Sequence, residues 1–391
     1  MVFMGRTDEQ SRFRSALAEL HDSDGIDEGH VVLVRGHGGM GKSSLLARYR
    51  QIATGELAGD QANRGRFLVA HVDWEADQRR HSTDYTSFAG PPVWRILERI
   101  RAALDDSLLK LPRRRRQRAT KVFDEFRQRV STLPELEDRA KRLGVPTELG
   151  RHRLSSEDVA VLARGAGGLM TAAGHPLSSA VPMADIAKGV HIAAGAVEDY
   201  LIGRVDPGAY RTLVDEVDAV VEAFCSGMRA ISRIRPLVVI LDTCELLGES
   251  DEWLRLCARR CGRRVLWVIG MRLEEERHAG NESVAARYVK DLAESRLRDI
   301  TMTRFDDRSL EAYLKARLGD PLPADVVIKS VADLTHGIPL AVSLTADMIL
   351  RGEPLDRVLA PINDHGQASE LVQQLTRRYL VHTRNNGAGG N

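Results

Sequence analysis

The sequence predicts an α/β fold: a parallel sheet flanked by helices, with a long helical insertion and a small C-terminal helical domain. Three observations carry that prediction. Short, wholly apolar runs recur at Val31–Val34, Leu237–Leu241 and Val265–Ile269, as in parallel strands buried on both faces. Segments of helical period separate them, the alternation expected of a sheet covered by helices. From Asp306 onward only helical patterns remain.

Taken in order, residues 7–20 read as a helix, with Phe13, Leu17 and Leu20 on one face. The polar loop Asp22–Gly29 leads to a strand at His30–Arg35, a glycine loop and a helix over Lys42–Ile52. A strand at Arg66–Asp73 completes a βαβ unit. Val93–Leu104 is amphipathic, Pro112–Leu143 is charged and helical in pattern, and Tyr210–Ile234 is a long helix. The sheet resumes at Pro236–Asp242, followed by a helix at Glu252–Arg260 and strands at Val265–Gly270 and Arg298–Thr303. Helices are expected at Ser309–Leu318, Ala324–Leu334, Pro339–Leu350 and Leu371–His382, before a Gly/Asn-rich tail at Asn385–Asn391 that is expected to be disordered. The domains are therefore set at 1–111 and 236–304 for the two parts of the sheet, 112–235 for the insertion, 305–384 for the helical domain and 385–391 for the tail.

Composition narrows the partners. With 56 basic and 55 acidic side chains the net charge is +1, which argues against bulk nucleic acid as the main partner. The aromatic fraction of 5% gives little material for stacking single strands. The basic run Arg113–Arg116 with Arg118 reads as a solvated helix face, diluted by Asp124 and Glu125. Cys225, Cys244, Cys257 and Cys261 have no disulfide or zinc spacing, and reduced thiols fit a cytoplasmic protein. The N-terminus turns polar at once, so no secretory signal is expected. The most apolar stretch, Ala160–Ala194, is interrupted by His175, Pro176, Asp185 and Lys188, so no membrane span is expected.

One motif carries chemistry. Gly36-His37-Gly38-Gly39-Met40-Gly41-Lys42-Ser43 fits G-x-x-x-x-G-K-[ST], a P-loop, between an apolar strand and a helix. Glycines let main-chain N–H groups turn inward around an anion at a helix N-terminus. Lys42 adds a charge for the outer phosphates, and the Ser43 hydroxyl suits magnesium. Ser44 continues the same turn.

A magnesium site needs an acidic second anchor at a neighbouring strand end. Asp242, closing Leu237–Leu241, is the candidate, with Asp73 as the fallback. Glu245, three residues on, is placed to orient or deprotonate water. Arg272, after the next strand, is placed to meet a terminal phosphate. These residues, Lys42, Asp242, Glu245 and Arg272, form the candidate catalytic set, with Ser43 and Asp242 as metal ligands.

Four strings in order, Phe3-Met4-Gly5-Arg6, the P-loop, Leu241-Asp242-Thr243-Cys244-Glu245 and His336-Gly337-Ile338-Pro339-Leu340-Ala341, resemble the STAND class of signal-transduction ATPases, which includes the NB-ARC proteins and bacterial relatives. The resemblance covers residues 1–350 apart from the insertion. It implies that Phe3, Gly5 and Arg6 contact the adenine region, that Gly36, Gly38, Gly39, Met40, Gly41, Lys42, Ser43 and Ser44 hold phosphates, that Arg272 senses the γ-phosphate, and that Pro339 packs on the nucleotide. It implies ATP/ADP and Mg²⁺ as ligands, slow hydrolysis, and self-association or a protein partner governed by nucleotide state. The alternative is an ATP-driven remodeller of the AAA+ kind, or a DNA-associated regulator. A small-molecule kinase ranks last, since no acceptor site is visible.

Overall fold

The computed structural model of the chain describes residues 5–22, 29–81, 91–142, 207–273, 284–292, 296–320, 322, 328–358 and 372–376. Phe3, the stretch 160–194, the tail and most of the helix expected at 371–382 lie outside the described residues.

The described elements run α1 (Thr7–Asp22), β1 (His30–Gly36), α2 (Lys42–Thr54), β2 (Leu68–Asp73), α3 (Trp74–His81), α4 (Val93–Leu109), α5 (Arg113–Lys121), α6 (Asp124–Arg142) and α7 (Pro207–Ser232). They continue with β3 (Leu237–Asp242), α8 (Asp251–Arg260), β4 (Val265–Arg272), α9 (Val284–Asp291), β5 (Leu297–Thr301), α10 (Asp307–Leu318), α11 (Ile328–Thr335), α12 (Pro339–Leu350) and α13 (Leu355–Val358). The five strands form one sheet in the order β2-β3-β4-β1-β5, every pair parallel. The α/β fold, a parallel sheet flanked by helices, is therefore the one the apolar runs announce.

Alternate residues of each strand feed two cores. Leu33, Val72, Val239, Trp267 and Ile269 face α4, α6, α7 and α8. Val32, Val34, Val238, Ile240 and Val268 face α1 and α2. Such aliphatic side chains, fully buried, each contribute roughly 1.5–3 kcal/mol, so a sheet covered on both faces is held far more firmly than one wetted on one side. A third cluster, including Leu310, Leu314, Val331 and Val342, joins α10, α11 and α12.

α4 buries Val93, Ile96, Leu97, Ile100, Leu104 and Leu108 at helical spacing. It also closes the free edge of β2, because the Ser107 hydroxyl donates to the Val69 carbonyl (2.6 Å) and lies 3.1 Å from the Val69 N–H. An edge strand covered in this way is no template for a foreign strand.

The helix expected over Pro112–Leu143 is broken in two. Phe123 turns into the core against Phe126 and Phe224, with ring centroids 6.3 and 6.2 Å away. Gly227 makes the room, since a Cβ there would stand 2.6 Å from the Phe123 ring. The short α3 and α9 went unread because each is too brief to show a period. Among the described residues no helix is long and apolar enough to cross a membrane.

Candidate functional site

Strand register places the chemistry at one end of the sheet. Gly36, the last residue of β1, lies opposite Arg272 on β4, and Asp73 on β2 lies opposite Asp242 on β3. β4 separates β1 from β3, so Arg272 emerges between the glycine loop and Asp242.

The loop between β1 and α2 needs its glycines. Gly39 has φ 81°, and Gly41, the residue capping α2, has φ 84° and ψ 23°. A side chain in that left-handed region costs about 1–2 kcal/mol. Met40 is buried and pins the loop to the core beneath it. The Lys42 ammonium donates to the carbonyls of Gly36 (2.6 Å) and His37 (2.9 Å). Burial lowers its pKa, Glu245 and Asp242 oppose that fall, and Arg272 adds to it. A cation braced on its own loop, beside main-chain amides at a helix N-terminus, is suited to an oligophosphate.

Asp242 is 4% exposed. Burial raises its pKa, a hydrogen bond with Ser43 lowers it, and Asp73 raises it further. The Thr243 N–H donates to Oδ1 at 2.9 Å, and Thr243 itself sits at φ 61°. Gly270 on β4 leaves the space Asp242 occupies, since a Cβ there would meet Leu46 at 2.5 Å and Asp242 Oδ1 at 3.2 Å. A buried carboxylate and a hydroxyl brought together, both hard oxygen donors, fit Mg²⁺. Asp73 is used differently: its Oδ1 accepts the Ala76 N–H at 3.1 Å, starting α3, and it does not line the cavity.

Glu245 follows in a short 3-10 turn, Cys244–Ser250. Burial raises its pKa, opposed by main-chain N–H groups and by the charges of Arg272 and Lys42. Its Oε2 accepts the Arg272 N–H at 3.2 Å, and its Oε1 lies 3.0 Å from Arg272 Nε.

These groups open into one cavity of about 290 Å³ whose far end is built from distant segments. Arg6 donates to the Thr303 carbonyl, pairs with Glu9 at 3.3 Å and lies 5.6 Å from the Phe305 ring centroid. α1 holds it there by stacking Phe13 on Tyr49 of α2, centroids 4.2 Å apart. Phe305 and Tyr313 stand 5.8 Å apart. The Phe305 N–H donates to the Gly337 carbonyl at 2.7 Å, and a Cβ at Gly337 (φ 67°) would stand 2.5 Å from the Phe305 carbonyl oxygen. Pro339 opens α12, as the sequence predicts, and the Leu340 N–H donates to the Gly39 carbonyl at 3.0 Å. α12 is thus hydrogen-bonded to the glycine loop itself.

Residues 2–268 match the family described as AAA ATPase domain, more than half of the chain. The chain belongs to the AAA ATPase domain family. No curated protein matches it. Membership establishes a P-loop ATPase at the level of the family, with ATP binding and nucleotide-dependent function. The match ends inside β4, so Arg272, β5 and the C-terminal helices lie beyond it.

In this AAA ATPase family member the cavity gathers Arg6, Gly38, Gly39, Met40, Gly41, Lys42, Ser43, Ser44, Asp242, Glu245, Arg272 and Pro339, all singled out from the sequence. Gly5 and Gly36 do not line it. Gly5 (φ 72°) offers its carbonyl to Gln10 at 3.0 Å, and Gly36 packs against Met302, where a Cβ would stand 2.8 Å from its Cβ. Glu75, Thr243, Phe305, Tyr313, Leu340 and Ser343 also line the cavity and were not read from the sequence. Tyr313 carried only the signal of a core residue. Phe305 stands just before Asp306, whose side chain accepts the Ser309 N–H at 2.7 Å, and that cap was the one local mark near it.

Proposed function

We propose that the chain is an ATP-dependent regulatory switch of the STAND type, with slow Mg²⁺-dependent hydrolysis, whose nucleotide state sets its conformation and its assembly with itself or a protein partner. The observation that carries this reading is the hydrogen bond from Leu340 of α12 to Gly39 of the P-loop. Occupancy of the loop and the seating of the C-terminal helices act on the same main chain, so a ligand that alters one biases the other.

In this reading the P-loop amides and Lys42 hold the phosphates, and Ser43 with Asp242 hold Mg²⁺. The metal would neutralise phosphate charge when bound. Glu245 orients the attacking water, and Arg272 meets the γ-phosphate, which ADP lacks. Arg6 and Pro339 border the base. The division into a sheet domain (1–111 and 236–304), an insertion (112–235) and a helical lid (305–384) belongs to the same proposal, as does a cytoplasmic location consistent with free thiols.

A second reading, a remodeller acting on nucleic acid, draws support from α5. Its Arg113–Arg116, Arg118 and Lys121 make no ion pair among the described residues. The two readings separate on turnover and assembly. Chromatography of the nucleotide released from purified protein is expected to show ADP or ATP. Hydrolysis is expected to run slower than about one per second, and light scattering is expected to show a larger assembly with a non-hydrolysable ATP analogue than with ADP. Faster turnover stimulated by DNA, with no change in assembly, would overturn the switch in favour of the remodeller.

A further inference from the structure

Three of the four cysteines meet away from the nucleotide cavity. Cys225 lies on α7, Cys257 lies on α8, and Cys261 caps the C-terminus of α8. All three are fully buried. The Cys261 N–H donates to the Cys257 carbonyl at 2.8 Å, so these two residues stand on consecutive turns of one helix face. Cys225 meets both from α7: its sulfur shares a hydrogen bond with each, and Cys257 and Cys261 bond to one another. Cys244 lies elsewhere, beside Trp74. Thiols can serve a core simply as small apolar groups, but two features set this cluster apart. Charged side chains that reach water lie beside it: Arg229 donates to the Arg260 carbonyl at 2.7 Å and to Glu222 at 2.6 Å, and the side chains of Arg229, Glu222 and Arg260 are 37%, 50% and 37% exposed. The thiols also differ in acidity. Hydrogen bonds from Cys257 and Cys261, with the charge of Arg229, hold the Cys225 thiol below its ordinary range. The bond with Cys225 pushes Cys257 up, and burial pushes Cys261 up. One thiolate thus stands against two protonated thiols. Among the described residues no group of His, Cys, Asp or Glu is arranged to hold a metal ion, which leaves covalent chemistry for the cluster.

We infer that this cluster is an oxidation site for hydrogen peroxide, at which Cys225 forms a reversible disulfide with Cys257 or Cys261 and so joins α7 to α8. The Cys225 thiolate attacks one peroxide oxygen, the O–O bond breaks, and the hydroxide that leaves takes a proton from solvent to become water. Cys225 is then a sulfenic acid. The sulfur of Cys257 or Cys261 attacks it, the S–S bond forms, the S–O bond breaks, and the hydroxyl leaves with the proton of the attacking thiol as a second water. Two thiols lose two electrons, and one peroxide is reduced to two waters. The thiol left over can attack the new bond in turn, which keeps the disulfide exchangeable between the two turns of α8. The bond closes the segment of chain that holds β3, and a cross-link of this kind restrains the unfolding of what it encloses. The strand that ends in Asp242 is therefore the part of the sheet that oxidation would fix. Neither step involves a nucleotide, so the site stands or falls apart from the cavity.

The test is mass spectrometry of the full, natively folded chain after reduction, removal of reductant, exposure to hydrogen peroxide and alkylation of the remaining thiols in denaturant. Wild type is expected to lose two of its four thiols, with Cys225 joined to Cys257 or Cys261 and Cys244 alkylated. Cys257→Ser and Cys261→Ser are each expected to form the bond through the thiol that remains. Cys225→Ser is expected to lose thiols at least about tenfold more slowly, and Cys225→Ala serves if the serine variant folds poorly. Dithiothreitol is expected to restore all four thiols. Wild type that keeps four thiols would overturn the site and reduce the cluster to core packing. A bond that leaves out Cys225, a bond between chains, oxidation that ends at sulfinic acid with no bond, or a Cys225 variant that reacts at the wild-type rate would overturn it equally.

Discussion

The two ends of the cavity are made in opposite ways. The glycine-loop end is lined chiefly by one continuous run, Gly38–Ser44, between a strand and a helix, and it presents mostly main chain. The far end draws Arg6 from before α1, Phe305 from after β5, Tyr313 from α10 and Pro339 from the start of α12, and what it presents is side chain. A local device resists substitution everywhere except at its glycines, Lys42 and Ser43. An assembled one depends on every packing contact that brings its pieces together. The hydrogen bond between Leu340 and Gly39 is where the two meet.

That contrast can be broken first at Asp242, the proposed metal ligand beside the glycine loop. Asp242→Ala is expected to lower Mg²⁺-dependent hydrolysis by about a hundredfold or more while leaving metal-free ADP binding within about twofold. Equal losses in both assays would mean that Asp242 supports the loop rather than the metal. Next comes the strand beneath both ends. His30, at the start of β1, is buried, and its pKa is lowered to about 4, first by burial and then by Arg296, whose Nη1 lies 2.8 Å from Nε2. A folded-state pKa below the unfolded value of about 6.5 means stability that is whole above that pH and lost as pH falls through it toward 4. The loss is expected to reach up to about 3 kcal/mol, read as a falling urea midpoint, and His30→Gln should flatten that slope. A variant with the wild-type slope would remove His30 from the account. The smallest effect belongs to the assembled end. Phe305→Leu is expected to weaken ADP roughly three- to tenfold and to leave inorganic tripolyphosphate unaffected. If both ligands weakened alike, Phe305 would be acting on the whole lid and not on a base.

What the sequence made legible follows the same division. The P-loop, Asp242, Glu245 and Arg272 could be read because each sits at a strand end marked by an apolar run, and a parallel sheet brings strand ends together. Pro339 was readable because proline at a first helical turn is its own signal. Asp73 looked equivalent to Asp242, yet it caps α3 through Ala76, a helix too short to be foreseen. Phe305 and Tyr313 look like any core aromatic until the fold sets them 5.8 Å apart beside Arg6. The break between α5 and α6 depended on Gly227, about a hundred residues away in the chain. Long-range packing of this kind leaves no local trace.

The central claim is that main-chain amides and Lys42 at the end of β1 grip a nucleotide. Calorimetric titration of wild type and Lys42→Ala with Mg²⁺-ADP tests it most directly. Wild type is expected to bind with one site per chain, and the variant to lose about a hundredfold or more in affinity with its thermal midpoint unchanged. Equal affinity in the two proteins would contradict the claim.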